Sequence, residues 1–189
     1  MDKVKVGPQT MVFPTPAFLI GTNVDSKPNF MTAAWSGIAC SEPPMITVAV
    51  RHQRYTLRGM KENMTFSVNV PSSGQVKEVD FCGIKSGAKE DKVKACNFKV
   101  FYGKVETAPM VEQCPVNLEC RIAHMLDLGT HVLVIGKIEE VYVSGDCITD
   151  GHPDVKKIRP LLWTMPPADV YQELGEVAGK AFKIGLDLK

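Results

Sequence analysis

The sequence has almost no net charge. Its 22 Lys and Arg against 21 Asp and Glu leave +1 at pH 7. No general electrostatic attraction to nucleic acid or to an anionic membrane follows from that balance, so an anion must be held by a local arrangement. Long apolar runs are also missing: "MITVAV" and "HVLVIG" are strand-sized and too short to span a bilayer. No apolar stretch follows the charged "MDKVKVG" start, so no secretory signal is visible and a cytoplasmic protein is expected. The six cysteines (40, 82, 96, 114, 120, 147) contain no C-x-x-C pair, which argues against a dithiol redox motif and a zinc ribbon. G-x-G-x-x-G and G-x-x-x-x-G-K-[ST] are absent, removing the signatures of the two commonest nucleotide-phosphate loops.

What is present is an ordinary globular composition, 44% hydrophobic and 23% charged over 189 residues. That length suits one sizeable core, read as a single domain over 1–189. The patterning predicts a mainly β protein with short helices. "MVFPTPAFLIG" (11–21), with two prolines, reads as an irregular edge strand, followed by a turn at "NVDSKPN". Strands are expected over 45–51, 65–70, 116–123 and 130–143. Helices are expected over 55–64, 74–81, 88–96 and, after a Pro-rich segment at 159–167, over 168–182. Many strands at short spacing suggest a closed or nearly closed barrel.

Three chemistries are weighed on the residues alone. Cys114, Cys120, His124 and His131 offer sulfur and nitrogen donors, but period-2 alternation makes Cys120 a small core hydrophobe, and the spacing matches no closed zinc motif. Cys40 in "IACSEPP" has no evident base, so a buried, unreactive thiol is the commoner reading. An anion site is offered by "RHQRYTLR" (51–58), where Arg51 and Arg54 precede Thr56 at a helix entrance, and by "KSGAKEDK" (85–92), where Ser86 and Gly87 precede Lys92. The plain alternatives are solvated helix charges and a Thr N-cap.

One stretch fits no simple pattern. "PNFMTAAWS" (28–36) puts Asn, Thr, two Ala and a Trp where a core strand prefers Val or Ile. Together with "CSEPP" (40–44), "VAVRHQRYT" (48–56), "SGAKEDK" (86–92), "LGTHVLVIGKIEEV" (128–141) and the tail "LGEVAGKAFKIG" (174–185), it resembles the flavin reductase-like, FMN-binding split-barrel family, and within it the flavoredoxins. The resemblance implies a Greek-key-like split β-barrel with short peripheral helices and a C-terminal helical tail. It implies FMN lying along Met31, Thr32, Ala33, Ala34 and Trp35, with Asn29 and Thr32 as polar contacts and Cys40 and Ser41 nearby. Thr56 and Lys92 are then the phosphate ligands, with Arg51 and Arg54 beside them. Trp163 becomes a second aromatic near the ring, and His131 the candidate catalytic residue. Thr130 stands where many flavin reductases carry Asp. The implied function is electron transfer through FMN in a homodimer, to a protein or small-molecule acceptor. NAD(P)H:flavin reduction and passive FMN binding are the alternatives.

Overall fold

The computed structural model describes residues 2–188. Asp25 and Ser26 both take left-handed backbone angles, with φ of 49° and 61°. This is the conformation of a tight hairpin turn, and it joins β2 (Phe18–Val24) to β3 (Lys27–Ala33) in register from Val24↔Lys27 to Phe18↔Ala33. A short β1 (Thr15–Pro16) precedes them. After β3 the chain makes a second hairpin, β4 (Ser36–Ser41) with β5 (Pro44–Arg51), then helix α1 (Tyr55–Asn63) and strand β6 (Thr65–Val70). Helices α2 (Val76–Ile84) and α3 (Lys92–Ala95) and the short strands β7 (Val100–Phe101) and β8 (Met110–Val111) lead to the long hairpin of β9 (Val116–Asp127) and β10 (His131–Val143). The chain closes with β11 (Ile148–Thr149), β12 (His152–Pro153), α4 (Val155–Ile158), β13 (Leu162–Thr164) and β14 (Val170–Gln172).

The main sheet has seven strands in the order β3-β2-β6-β9-β10-β5-β4. The β9–β10 hairpin is inserted between β5 and β6, a Greek-key-like arrangement. The two edge strands, β3 and β4, are consecutive in the chain and separated only by Ala34 and Trp35. So short a link spans about 10 Å at most, so the sheet must curl until its edges meet. They meet without completing the ladder: β3 approaches β5 but does not pair with it. The result is a barrel split along one seam.

Inside the barrel, Ile20, Val48, Val50, Phe66, Val68 and Val134 form the main core. A second core lies outside β2 and β3, where Leu19 and Phe30 pack with Val79, Cys82, Phe98 and Leu161. Leu19 and Ile20 are adjacent yet both fully buried, in different cores. The expected edge strand over 11–21 forms only at β1, which includes Pro16 and is the edge of a small β1-β13-β14 sheet; from Phe18 onward the expectation is corrected. β2 lies between β3 and β6 and is covered on both faces, which removes the alternation that would have revealed it; the prolines precede it. Cys120 packs in the barrel core and Cys114 in the outer one, so the two do not share a site.

The helix expected over 168–182 does not form. Residues 170–172 pair with β13, residues 173–180 form no regular element, and Ile184–Asp187 makes a 3-10 turn. Gly175 and Gly179 lower helix propensity, and Leu174 and Val177 are exposed, so no packed face offsets the entropy of a helix. The expected helix over 88–96 is only the single turn of α3. Among the described residues no helix is long and apolar enough to cross a membrane.

Gly136 in β10 has a packing reason. A Cβ there would overlap the Phe66 ring, and the β9–β10 register shifts between Ile135 and Gly136. Gly136→Ala is expected to destabilise the fold by about 1–3 kcal/mol, the usual effect of overpacking. Combination with Phe66→Leu should recover part of that loss. Urea unfolding of the single and double variants measures the coupling, and additive losses would mean that the ring is not what Gly136 accommodates.

Candidate functional site

The seam opens into a cleft of about 520 Å³. Its floor is the end of β3 and the link into β4, where Met31, Thr32, Ala33, Ala34 and Trp35 follow one another. Ala17, Ala49 and Gly83 keep the other walls low. The Thr32 hydroxyl donates to the Val79 carbonyl, pinning β3 to α2 rather than facing outward. Trp35 is 39% exposed, and its indole stacks on the His131 imidazole at 4.8 Å between centroids and 25° between planes. His131 opens β10 and is paired in register with Arg51 of β5. Burial, and then the neighbouring Arg51 guanidinium and His52 imidazole, hold the His131 imidazole below the ordinary histidine range.

The far wall comes from β13 and β14. Trp163 donates its indole N–H to Asp169 (3.1 Å), and the Tyr171 hydroxyl donates to Asp80 of α2 (3.2 Å). Burial and then Asp80 push the Tyr171 phenol up to about 12, so it remains a donor at any physiological pH.

A second pocket of about 240 Å³ adjoins the cleft and shares Met31, Arg51, Arg54 and Ile84 with it. It is bounded by the start of α1, by residues 85–87 and by Lys92. Arg54, at the N-cap, has extended angles and makes no side-chain cap. The first amides of α1 are thus without helix partners and carry the positive end of its dipole. Gly87 fits here because a Cβ would overlap the Asn29 carboxamide. Arg51, Arg54, Lys85 and Lys92 line this pocket, and no carboxylate does. Burial, with Arg51 adding to it, depresses the Arg54 guanidinium, whose Nη1 donates to the Gly83 carbonyl at 2.6 Å. Burial is also the main cause of the lowered Lys92 ammonium.

Lys92 is only 4% exposed, and its Nζ donates to the carbonyls of Phe30 (2.8 Å) and Cys82 (2.9 Å). It ties β3 to α2 before any ligand is considered. Thr56 is likewise buried and accepts from Asn29 Nδ2 at 2.7 Å, which places Asn29 behind the pocket wall. Of the residues singled out in the sequence, Met31 to Trp35, Arg51, Arg54, His131 and Trp163 converge on the cleft, and Thr56 and Lys92 on the pocket. Cys40 and Ser41 do not join them. β4 carries Cys40 about 16 Å beyond Trp35 at the usual strand rise, and its thiol donates to the Glu42 carbonyl at 3.3 Å. Asp80, Asp169 and Tyr171 escape sequence reasoning because they fall in segments read as ordinary helix, and Gly83 because it lies in the gap between two of them. Gly83, a small residue near a helix end, is the one usable signal among them.

The family described as "Flavin reductase like domain" matches residues 10–165. The chain is similar in structure to the flavoredoxin from Methanosarcina acetivorans, with 41% identity, a TM-score of 0.95 and full coverage of both chains. It is similar also to the flavoredoxin of Desulfovibrio vulgaris (Miyazaki F), with 38% identity, a TM-score of 0.90, and coverage of 97% of this chain and 100% of that one. An uncharacterized protein of Archaeoglobus fulgidus is 37% identical over 144 residues, 76% of this chain and 80% of that one.

Lys92→Met retains much of the side chain's bulk but removes both hydrogen bonds and leaves two carbonyls unpaired. A stability loss of about 1–3 kcal/mol is expected in anion-free buffer, read by urea unfolding. Unchanged stability would show that the ammonium is not a strut between β3 and α2.

Proposed function

The chain belongs to the flavin reductase-like family, and from that premise we propose that it is an FMN-binding electron-transfer flavoprotein of the flavoredoxin type. The observation that carries this reading is the junction of two unlike pockets through Arg51 and Arg54. One is a cleft floored by small side chains with an indole at its edge; the other is cationic, free of carboxylates and set at a helix N-terminus. FMN has the same two halves, a flat ring system and a phosphate dianion, so the residues present fit it. When bound, it supplies hydride and single-electron chemistry that no side chain can.

The rest falls to this chain. Arg51, Arg54, Thr56 and the first amides of α1 bind the phosphate, and Lys92 adds a buried positive charge that an anion would balance. Ala33 and Ala34 let backbone come close to the ring, Trp35 and Trp163 shield it from water, and His131 holds a proton at the cleft. The protein works as a homodimer in the cytoplasm, passing electrons to a protein or small-molecule acceptor. Two features favour a second copy: the β4 edge exposes Ile38 (72%), and the tail leaves Phe182 without cover (100%). Six free thiols suit a reducing compartment. A NAD(P)H:flavin reductase is the second reading, favoured by the exposure of Trp35 at the cleft mouth. Anaerobic bleaching of the bound flavin by NADPH or NADH would select it.

FMN should bind more tightly than riboflavin. Thr56→Ala should weaken FMN binding by about 1–3 kcal/mol while leaving riboflavin binding nearly unchanged. Fluorescence titration of both ligands against both proteins decides it, and equal affinity of the unmodified protein for the two sinks the phosphate assignment.

His131 should tune the flavin potential with pH. Its proton affinity in the fold lies below the ordinary value of 6.5, so it is neutral at pH 7 and gains charge only on the acid side of that value. The added cation favours electron uptake, so the potential should climb more steeply once pH falls through the His131 titration. Redox titration of His131→Ala should show a lower potential and no such break. A variant matching the unmodified protein at every pH would leave His131 a strand-end residue.

A further inference from the structure

Residues 128–130 connect β9 to β10 in a turn held from several sides. Gly129 has φ +88°, its N–H donates to Asp127 Oδ1 (3.0 Å), and its carbonyl lies 2.8 Å from His52 Nε2. His52 Nε2 is also 3.3 Å from Asp127 Oδ1, and the Leu128 N–H donates to the His131 carbonyl at 2.8 Å. The backbone of Thr130 is therefore set by its neighbours on both sides. Its hydroxyl lies 2.8 Å from Nδ1 of His131, and among the described residues it has no other side-chain or backbone partner. On its face, the imidazole is stacked on Trp35, which limits rotation of the ring.

The charged groups around this imidazole come from several elements. Arg51 of β5 and His52 of the following turn are its nearest titratable neighbours; Arg54 lines the same cleft, and Asp80 and Asp169 stand on its far wall. Burial, and then the Arg51 guanidinium, favour the neutral ring, which carries a single N–H. With Nδ1 engaged by Thr130, Nε2 is the nitrogen left for the cleft, and it has no protein partner among the described residues. A hydroxyl can donate a hydrogen bond to a bare Nδ1 while keeping its proton, and the ring's own proton then sits on Nε2, histidine's intrinsically favoured tautomer.

We propose that Thr130 is a positioning residue whose hydroxyl donates a hydrogen bond to Nδ1 of His131 and so places the ring's one proton on Nε2, as a neutral hydrogen-bond donor to the cleft. What that donor meets rests on the flavin reading; the protonation of the ring does not. The identity of residue 130 thereby chooses the chemistry of His131. A carboxylate there only accepts, so it draws the proton to Nδ1 and stabilises the imidazolium.

The test is two-bond proton–nitrogen correlation NMR on FMN-loaded protein with nitrogen-15 histidine. The chain has four histidines, and His131→Gln assigns the signal in question. At pH 7.5 the unmodified protein should show protonated Nε2 and bare Nδ1, and Thr130→Ser should preserve that pattern. Thr130→Ala should give the averaged shifts of two exchanging tautomers. Thr130→Asp should move the proton to Nδ1 and raise the titration midpoint by about one pH unit or more. A protonated Nδ1 in the unmodified protein, or a Thr130→Ala spectrum identical to it, overturns the proposal. The ring shifts are readable with or without FMN. Failure to bind flavin would therefore be seen separately from a wrong tautomer.

Discussion

The two residues between β3 and β4 constrain everything else in this molecule. Strands at opposite edges of a seven-stranded sheet cannot be joined by Ala34 and Trp35 unless the sheet rolls up. Rolling brings the end of β3 against β5 and the start of β10, and the Ala49 N–H closes the link by donating to the Trp35 carbonyl at 2.9 Å. Among the described residues, β3 and β5 approach at this seam without pairing, so the barrel wall is not a continuous ladder there. The cleft lies there for that reason, and the residues of the link are its floor.

Charge follows the same geometry. The tight turn in which the Arg54 N–H donates to the Arg51 carbonyl (3.0 Å) keeps the end of β5 beside the start of α1, and Lys92 reaches inward to bridge β3 and α2. Three cations thus share a small volume with no carboxylate lining the pocket, in a chain whose overall charge is near neutral. Burying like charges together is unfavourable unless something balances them. Burial first, and the neighbouring cations second, depress Arg54 and Lys92, and an anion held there would offset part of that cost.

At the other end of the cleft the control is finer. His131, Trp35 and Thr130 are set by one strand start, one link and one braced turn. The anchoring of Gly129 by Asp127 and His52 does not touch the cleft, yet it fixes where the Thr130 hydroxyl can reach. Such indirect placement holds the Thr130 hydroxyl within hydrogen-bond distance of the adjacent imidazole.

Much of this was legible in the residues alone. β-branched density marked β5, alternation marked β6 and β9, and the length of its apolar pattern marked β10; the small Ala33 and Ala34 and the cations of 51–58 marked the two halves of the site, because side-chain size and charge are properties of each residue by itself. Tertiary structure decided the rest. The sandwiching of β2 between two cores hid its alternation, and pairing with β13 turned residues 170–172 into a strand where local pattern favoured helix. Lys92 became a strut as well as a charge. Asp80 and Tyr171, 91 positions apart, were joined into one wall. Such outcomes depend on what packs against a segment, and distant packing is set by how the sheet closes, which no local window of sequence contains.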